Sequence, residues 1–285
     1  MENMEGKSSG LKEKVDETTR VFNAYIDLAT KYKELSKFEE AIRYYKYALD
    51  ICETDNKLEK PEAIALLNNI GSVYEAKGCY EDALKYYERA LSISITLMGE
   101  SHIDTTSIYN NMGGVFLKLG NLKKALQLYE KALSLRKRLL GAESISTALT
   151  YNNIAGVFRE MGEYKKAQEY YQRAINIYEI ESGTKNISTA MVYNNLAGLL
   201  MDQGKHAQAL EYYKKAYCIK KDLLGEEHPD TAILLNNMGL LYYHMGDLKL
   251  AEECLTKAIT IFDSVLGSDN INSIRARENL ANINQ

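Results

Sequence analysis

The pair Asn-Asn recurs at 68–69, 110–111, 152–153, 194–195 and 236–237, a constant step of 42 residues. A fixed step of this length means one structural unit used repeatedly, each copy completing its core against its neighbours. Numbered 1 to 42 from Phe22, Ile64, Thr106, Ala148, Ala190 and Ala232, the chain holds six full repeats over residues 22–273. A seventh begins at Ile274.

Within this frame the columns sort by size. Position 8 is always small (Ala29, Gly71, Gly113, Ala155, Ala197, Gly239, Ala281), and positions 20 and 27 are always Ala. Position 24 is large: Tyr45, Tyr87, Tyr129, Tyr171, Tyr213 and Leu255. Small against large at fixed helical positions lets two helices approach and interlock. Glycine closes the helices. Gly78, Gly120, Gly162, Gly204 and Gly246 stand at position 15, and Gly99, Gly141, Gly183, Gly225 and Gly267 at position 36. Both columns read as C-terminal caps in the left-handed conformation. Pro61 and Pro229 share position 40, suited to a first helical residue. The preceding column, position 39, holds Lys60, His102, Ser144, Asn186, His228 and Asn270, with Ser and Asn as strong N-caps. Each repeat is therefore two antiparallel helices, one from about position 40 to position 14 of the next repeat, the other from about 17 to 35. Residues 1–21 read as a polar segment with a capping helix over Leu11–Arg20, and residues 274–285 as a C-terminal capping helix.

Small residues at position 8 with alanines at 20 and 27 resemble the tetratricopeptide repeat, in the 42-residue variety of kinesin light chains. The stretch LLGEEHPDTAILLNNMGLLYYHMGDLKLAEECLTKAI, residues 223–259, is the most similar to that family. The resemblance covers residues 22–283. It implies an all-α, right-handed superhelical solenoid whose first helices line a concave groove for a protein or peptide. A kinesin light chain carries a long heptad segment before its repeats, whereas residues 1–21 here do not supply one, so a motor-subunit role is not implied. The basic residues with which some members clamp a terminal carboxylate are also missing at positions 2, 5 and 6.

In the family, positions 2, 5, 9, 12 and 13 point into the groove, a spacing that keeps them on one helical face. Position 5 holds Asn68, Asn110, Asn152, Asn194 and Asn236, a column able to grip an extended backbone because a carboxamide both donates and accepts. The alternative is that the Asn columns only fix repeat stacking. Under the first reading, replacing Asn152 and Asn194 by Ala leaves melting nearly unchanged and weakens binding. Specificity falls to Leu117, Leu149, Met191, Met201, Ile233, Leu240 and Tyr243, with Gly114, Gly156 and Gly198 leaving room beside them. Lys118 and Arg159 could hold an acidic flank, balanced by Glu75, Glu160 and Asp202.

Composition narrows the function. A net charge of −4 with no basic stripe argues against nucleic acid. No apolar run reaches the ~20 residues of a membrane span, and no secretory core precedes Lys14. Cys52, Cys79, Cys218 and Cys254 are too dispersed for a zinc site and read as free thiols. His206 reads as an exposed turn residue, His244 as a groove position without a nearby acid or thiol in sequence, and the two histidines of position 39 as caps. The expectation is a cytoplasmic, monomeric adaptor, not an enzyme, without cofactor or metal, that binds a peptide or helix of a partner. The alternatives are a structural module that assembles end to end, and a peptide-sensing regulator.

Overall fold

A computed structural model describes residues 2–54 and 61–283, with side chains described from 17 to 53 and 61 to 283. Among the described residues all regular structure is helical: α1 (Glu2–Glu34), α2 (Phe38–Thr54), α3 (Pro61–Lys77), α4 (Tyr80–Met98), α5 (Ile103–Lys118), α6 (Leu122–Leu140), α7 (Ile145–Glu160), α8 (Tyr164–Ser182), α9 (Ile187–Asp202), α10 (His206–Leu224), α11 (Pro229–His244), α12 (Leu248–Leu266) and α13 (Ile271–Ile283). Odd-numbered helices are the first of each pair. The chain forms two compact units, Met1–Leu135 and Arg136–Gln285.

The expected first helix of the first repeat and the capping helix before it are one continuous helix, α1. Residues 11–34 contain neither Gly nor Pro, so nothing in the chain interrupts the backbone ladder there. The side chains of Leu11 and Val15 lie outside the described residues. At the other end, Arg275, Glu278 and Asn282 of α13 face solvent, and Arg277 bonds Asp263 at 2.7 Å and the Ser268 carbonyl at 2.9 Å.

Helix pairs interlock through the columns of small and large residues. The Tyr87 ring lies across Gly71, so close that a Cβ there would sit 2.7 Å from the ring, and Tyr129 covers Gly113 in the same way. The alanines at positions 20 and 27, among them Ala83, Ala90, Ala167 and Ala174, are wholly buried. Close approach is thus built into both helices of the pair.

The two glycine columns behave differently. All ten have positive φ, and in the first repeat position 15 is taken by Ser36, the one described non-glycine residue with positive φ. At position 36 the backbone is not the left-handed helical cap expected from sequence. Gly99 has φ 85° and ψ 164°, Gly183 φ 76° and ψ 168°, a region that essentially only glycine occupies. The chain there must leave one helix and turn into the next repeat within five residues, which needs an extended mirror-image backbone.

The position-39 caps form as expected. The Ser144 and Asn186 side-chain oxygens accept from the N–H of Thr147 and Thr189, and His102 and His228 Nδ1 accept from Asp104 and Asp230 N–H. A further buried column, at position 42, was not read from the sequence. Thr105, Thr147, Thr231 and Ser273 donate their hydroxyls to the carbonyls of Gly99, Gly141, Gly225 and Gly267, at 2.9–3.0 Å. Each hydroxyl ties the incoming helix to the glycine that ends the previous one. Its signal, a Thr or Ser every 42 residues, was present in the sequence.

Candidate functional site

The first helices carry the candidate residues. In the N-terminal unit these are Asn68, Asn110, Leu117 and Lys118 on α3 and α5. In the C-terminal unit they are Asn152, Leu149 and Arg159 on α7, Asn194, Met191 and Met201 on α9, and Asn236, Ile233, Leu240 and Tyr243 on α11.

The carboxamides bond to one another. In the C-terminal unit they form a relay. Asn279 Nδ2 donates to Asn236 Oδ1 at 3.0 Å, Asn237 to Asn194 at 2.8 Å and Asn195 to Asn152 at 2.9 Å. Within each pair, Asn236 donates to Asn237, Asn194 to Asn195 and Asn152 to Asn153, at 3.3–3.5 Å. The N-terminal unit repeats the inter-helix link, with Asn111 donating to Asn68 at 2.9 Å. Each link joins position 6 of one repeat to position 5 of the repeat before it. Helix stacking therefore uses both columns. Asn110 and Asn152 are buried, and Asn68, Asn194 and Asn236 half-buried. A carboxamide has two N–H donors and two lone pairs, and the relay already engages at least one of each on Asn194 and Asn236. An Asn152/Asn194 double replacement would cut the relay twice, at about 1 kcal/mol per lost bond, and so lower melting as well as any binding.

Beside the relay, position 12 of one repeat reaches over position 9 of the next. Lys33 Nζ donates to Ser72 Oγ at 2.8 Å. The Glu75 carboxylate occupies the space beside Gly114, where a Cβ would meet it at 3.3 Å. The Arg159 guanidinium lies flat on Gly198, 2.8–3.2 Å from where a Cβ would stand. The room expected at Gly114 and Gly198 is thus taken by the chain's own charged side chains. Gly156 differs: the nearest atom to a Cβ there is the Tyr171 hydroxyl at 3.9 Å.

The position-24 tyrosines, read from sequence as core filler, also send their hydroxyls to this face. Tyr87 donates to Glu75 Oε2 at 3.0 Å, and Tyr45 bonds Thr30 at 3.0 Å. Burial raises the Glu75 pKa, opposed by the Tyr87 hydrogen bond and by Lys118 and Lys33. Burial also lowers that of Lys33. In the C-terminal unit, burial pushes Tyr171 and Tyr213 up to about 12 against the opposing effect of Arg159, so both are neutral donors at ordinary pH. Arg159 Nε donates to Asp202 at 2.5 Å. Its charge is therefore already matched, which weakens the case for it as an acidic-flank receptor.

The apolar candidates remain reachable. Leu149, Met191 and Ile233, equivalent residues of α7, α9 and α11, are half-buried, as are Leu117, Met201 and Leu240, while Lys118 and Tyr243 are exposed. His206 and His244 come together, with ring centroids 6.1 Å apart. Among the described residues no three metal-ligating side chains cluster, and no helix is long and apolar enough to cross a membrane.

Within each unit the described helices form pairs stacked in series, with amide links between first helices, the architecture of a helical-repeat protein. Models of the tetratricopeptide repeat match residues 62–137, 104–180, 188–264 and 230–285, and a second such model matches 26–96 and 153–222. The chain belongs to the tetratricopeptide repeat family. No curated protein matches it in sequence. Among solved structures it is similar to BtubC (BKLC) from P. vanneervenii, at 22% identity and a TM-score of 0.61 over 88% of this chain and 92% of that one. It is also similar to repeats of kinesin-light-chain type from Podospora anserina, at 17% identity and 0.56 over 73% and 98%. A Rap protein complexed with Competence and Sporulation Factor matches at 20% identity and 0.69 over 97% and 79%.

Proposed function

We propose that the protein is an interaction scaffold that holds a segment of another protein on the first-helix face of its C-terminal unit. The observation that carries this reading is the row Leu149, Met191 and Ile233, three half-buried aliphatic side chains at one repeat position beside the amide relay. Aliphatic side chains next to amide donors and acceptors suit an extended segment or helix, with anchors in the apolar row and its backbone against the relay. Gly156, one turn beyond Asn152 on the same helix, has room for a Cβ, so a partner can approach its backbone closely. The similar fold of a Rap protein complexed with Competence and Sporulation Factor supports the idea that such a stack accepts a ligand. Met201 and Tyr243 would set selectivity at the flank, and Arg159, held by Asp202, would act as a fixed wall.

The test replaces Met191 and Ile233 together by Glu and compares proteins retained from native lysate by this bait and by the unaltered chain. Both side chains are half-buried and Ile233 packs against the C-terminal core, so melting should fall somewhat, and retention is compared at a temperature where both baits are equally helical. Partner retention should fall by at least ~2 kcal/mol, the loss typical of a buried anchor. Identical captured sets on both baits, with both folded, would sink the reading.

A further inference from the structure

The C-terminal unit exposes a second apolar surface, away from the first-helix face. Nine aliphatic side chains more than a third exposed lie at the turns between repeats: Leu139, Leu140 and Ile145; Ile180 and Ile187; Leu223 and Leu224; Val265 and Ile271. Each stands in the last turns of a second helix or is the first residue of the helix that follows. Because the helices are antiparallel and stacked in series, these four turns share one edge of the unit. At the opposite edge the turns within each pair, Gly162-Glu163, Gly204-Lys205 and Gly246-Asp247, are polar, with Met245 and Leu248 as their exposed apolar neighbours. The core does not account for the exposed part of these side chains: Ile180 is 73% exposed, and Val265 and Ile271 more than half.

From this edge we infer that the C-terminal unit pairs with a second copy of itself, the two edges running antiparallel about a two-fold axis. Three observations select this occupant. The first is area: nine such side chains leave several hundred Å² of apolar surface in water, at or above what a monomer keeps in one patch. That approaches the roughly 800 Å² each partner brings to a standard interface. The second is spacing. Successive first helices touch directly, as the Asn195–Asn152 and Asn237–Asn194 bonds show, so the apolar turns recur roughly every 10 Å, a pitch that a second copy of the same stack reproduces. Antiparallel pairing sets the first turn on the fourth and the second on the third, with Ile180 and Ile187 of one copy near Leu223 and Leu224 of the other.

The third observation is charge. Every turn carries both signs: Lys137 with Glu143, Lys185 with Glu181, Lys221 with Asp222 and Glu227, Arg275 with Asp269. Two copies can therefore meet without like-charge repulsion. An anionic membrane surface would instead confront Glu143, Glu181, Asp222, Glu227 and Asp269 along the same line. Such a contact is isologous and closes at two copies, unlike end-to-end stacking, which would remain open. It leaves the first-helix face free, so it stands independently of the partner-binding reading.

Sedimentation equilibrium of the full chain at about 50 µM tests it, since any contact tighter than ~10 µM is then well populated. The expected mass is twice the 32.3 kDa of the chain. Ile180→Glu with Leu223→Glu, which adds four carboxylates at the two-fold axis, should raise the dissociation constant at least about 100-fold, an electrostatic effect of ~3 kcal/mol. Circular dichroism should show both proteins equally helical. As a milder check on folding, Ile180→Ser with Leu223→Ser should weaken the dimer less. A monomer for the unaltered chain, an open series of larger species, or a dimer that survives the glutamate pair in folded protein would each overturn the inference.

Discussion

At the residue scale, the polar groups of the first-helix face are committed before any partner arrives. Glu75 illustrates the cost. Its carboxylate takes the space beside Gly114 and is held by Tyr87, yet burial raises its pKa above the usual carboxylate value. A carboxyl whose folded pKa is raised binds its proton more tightly in the native state, so stability falls as pH rises from the unfolded value through the folded one. Above that window the charged form is a standing cost. Glu75→Gln keeps an acceptor for Tyr87 and removes the charge. Thermal melts from pH 3 to 8 should show it more stable than the parent at neutral pH, with the advantage vanishing at the acid end. An advantage that persists unchanged at pH 3 would show that desolvation of the carboxylate is not the cause. Arg136 poses a related problem: it is buried, donates to the Ser146 carbonyl at 2.9 Å and to Thr150 at 2.6 Å, and its Nε is buried without a partner. Burial lowers its pKa. No sequence pattern announced this residue, because the other repeats hold Cys52, Ser94, Tyr178, Lys220 and Phe262 at its position.

At the element scale, two kinds of glycine make opposite demands. Gly183 ends α8 at φ 76° and ψ 168°, with no atom within 4 Å of a Cβ. Only backbone strain opposes a side chain there, and Gly183→Ala should cost ~1–3 kcal/mol. Gly156 sits inside α7 with ordinary helical geometry and its nearest neighbour at 3.9 Å. Gly156→Ala should therefore stabilise the protein by ~0.5–1 kcal/mol through helix propensity. If a partner approaches this backbone closely, the same substitution weakens binding while raising the melting temperature. Urea unfolding of both variants, paired with the capture experiment on Gly156→Ala, checks the two signs. Stabilisation with undiminished capture would remove Gly156 from the binding surface.

At the scale of the whole molecule, the helices of each unit lean chiefly on their neighbours in sequence, so stability depends on position within the unit. In the C-terminal unit α9 packs against α7, α8, α10 and α11, whereas α13, among the described residues, packs chiefly on α12 and more lightly on α11. Hydrogen exchange should release the α13 amides at least about tenfold faster than those of α9. Equal protection would mean that the unit opens in a single step.

The helix pairs, their boundaries, the caps at position 39 and the interlocking of position 8 with position 24 were legible in the sequence. Repetition every 42 residues turns each local propensity into a column that can be read six times, and local chemistry suffices for a cap or a close approach. The face proposed for a partner was legible only as positions. Side chains at positions 5, 6, 9 and 12 reach into the next repeat, so their use depends on what stands 42 residues away. Asn152 is claimed by Asn195, and Gly198 is covered by Arg159. The exposed row of turn aliphatics lay just as hidden, since Ile180 and Leu223 look like core residues until the stack shows that no helix covers them. Periodicity records what each repeat is made of, and only the packed array decides which of those groups are already spent on neighbouring repeats.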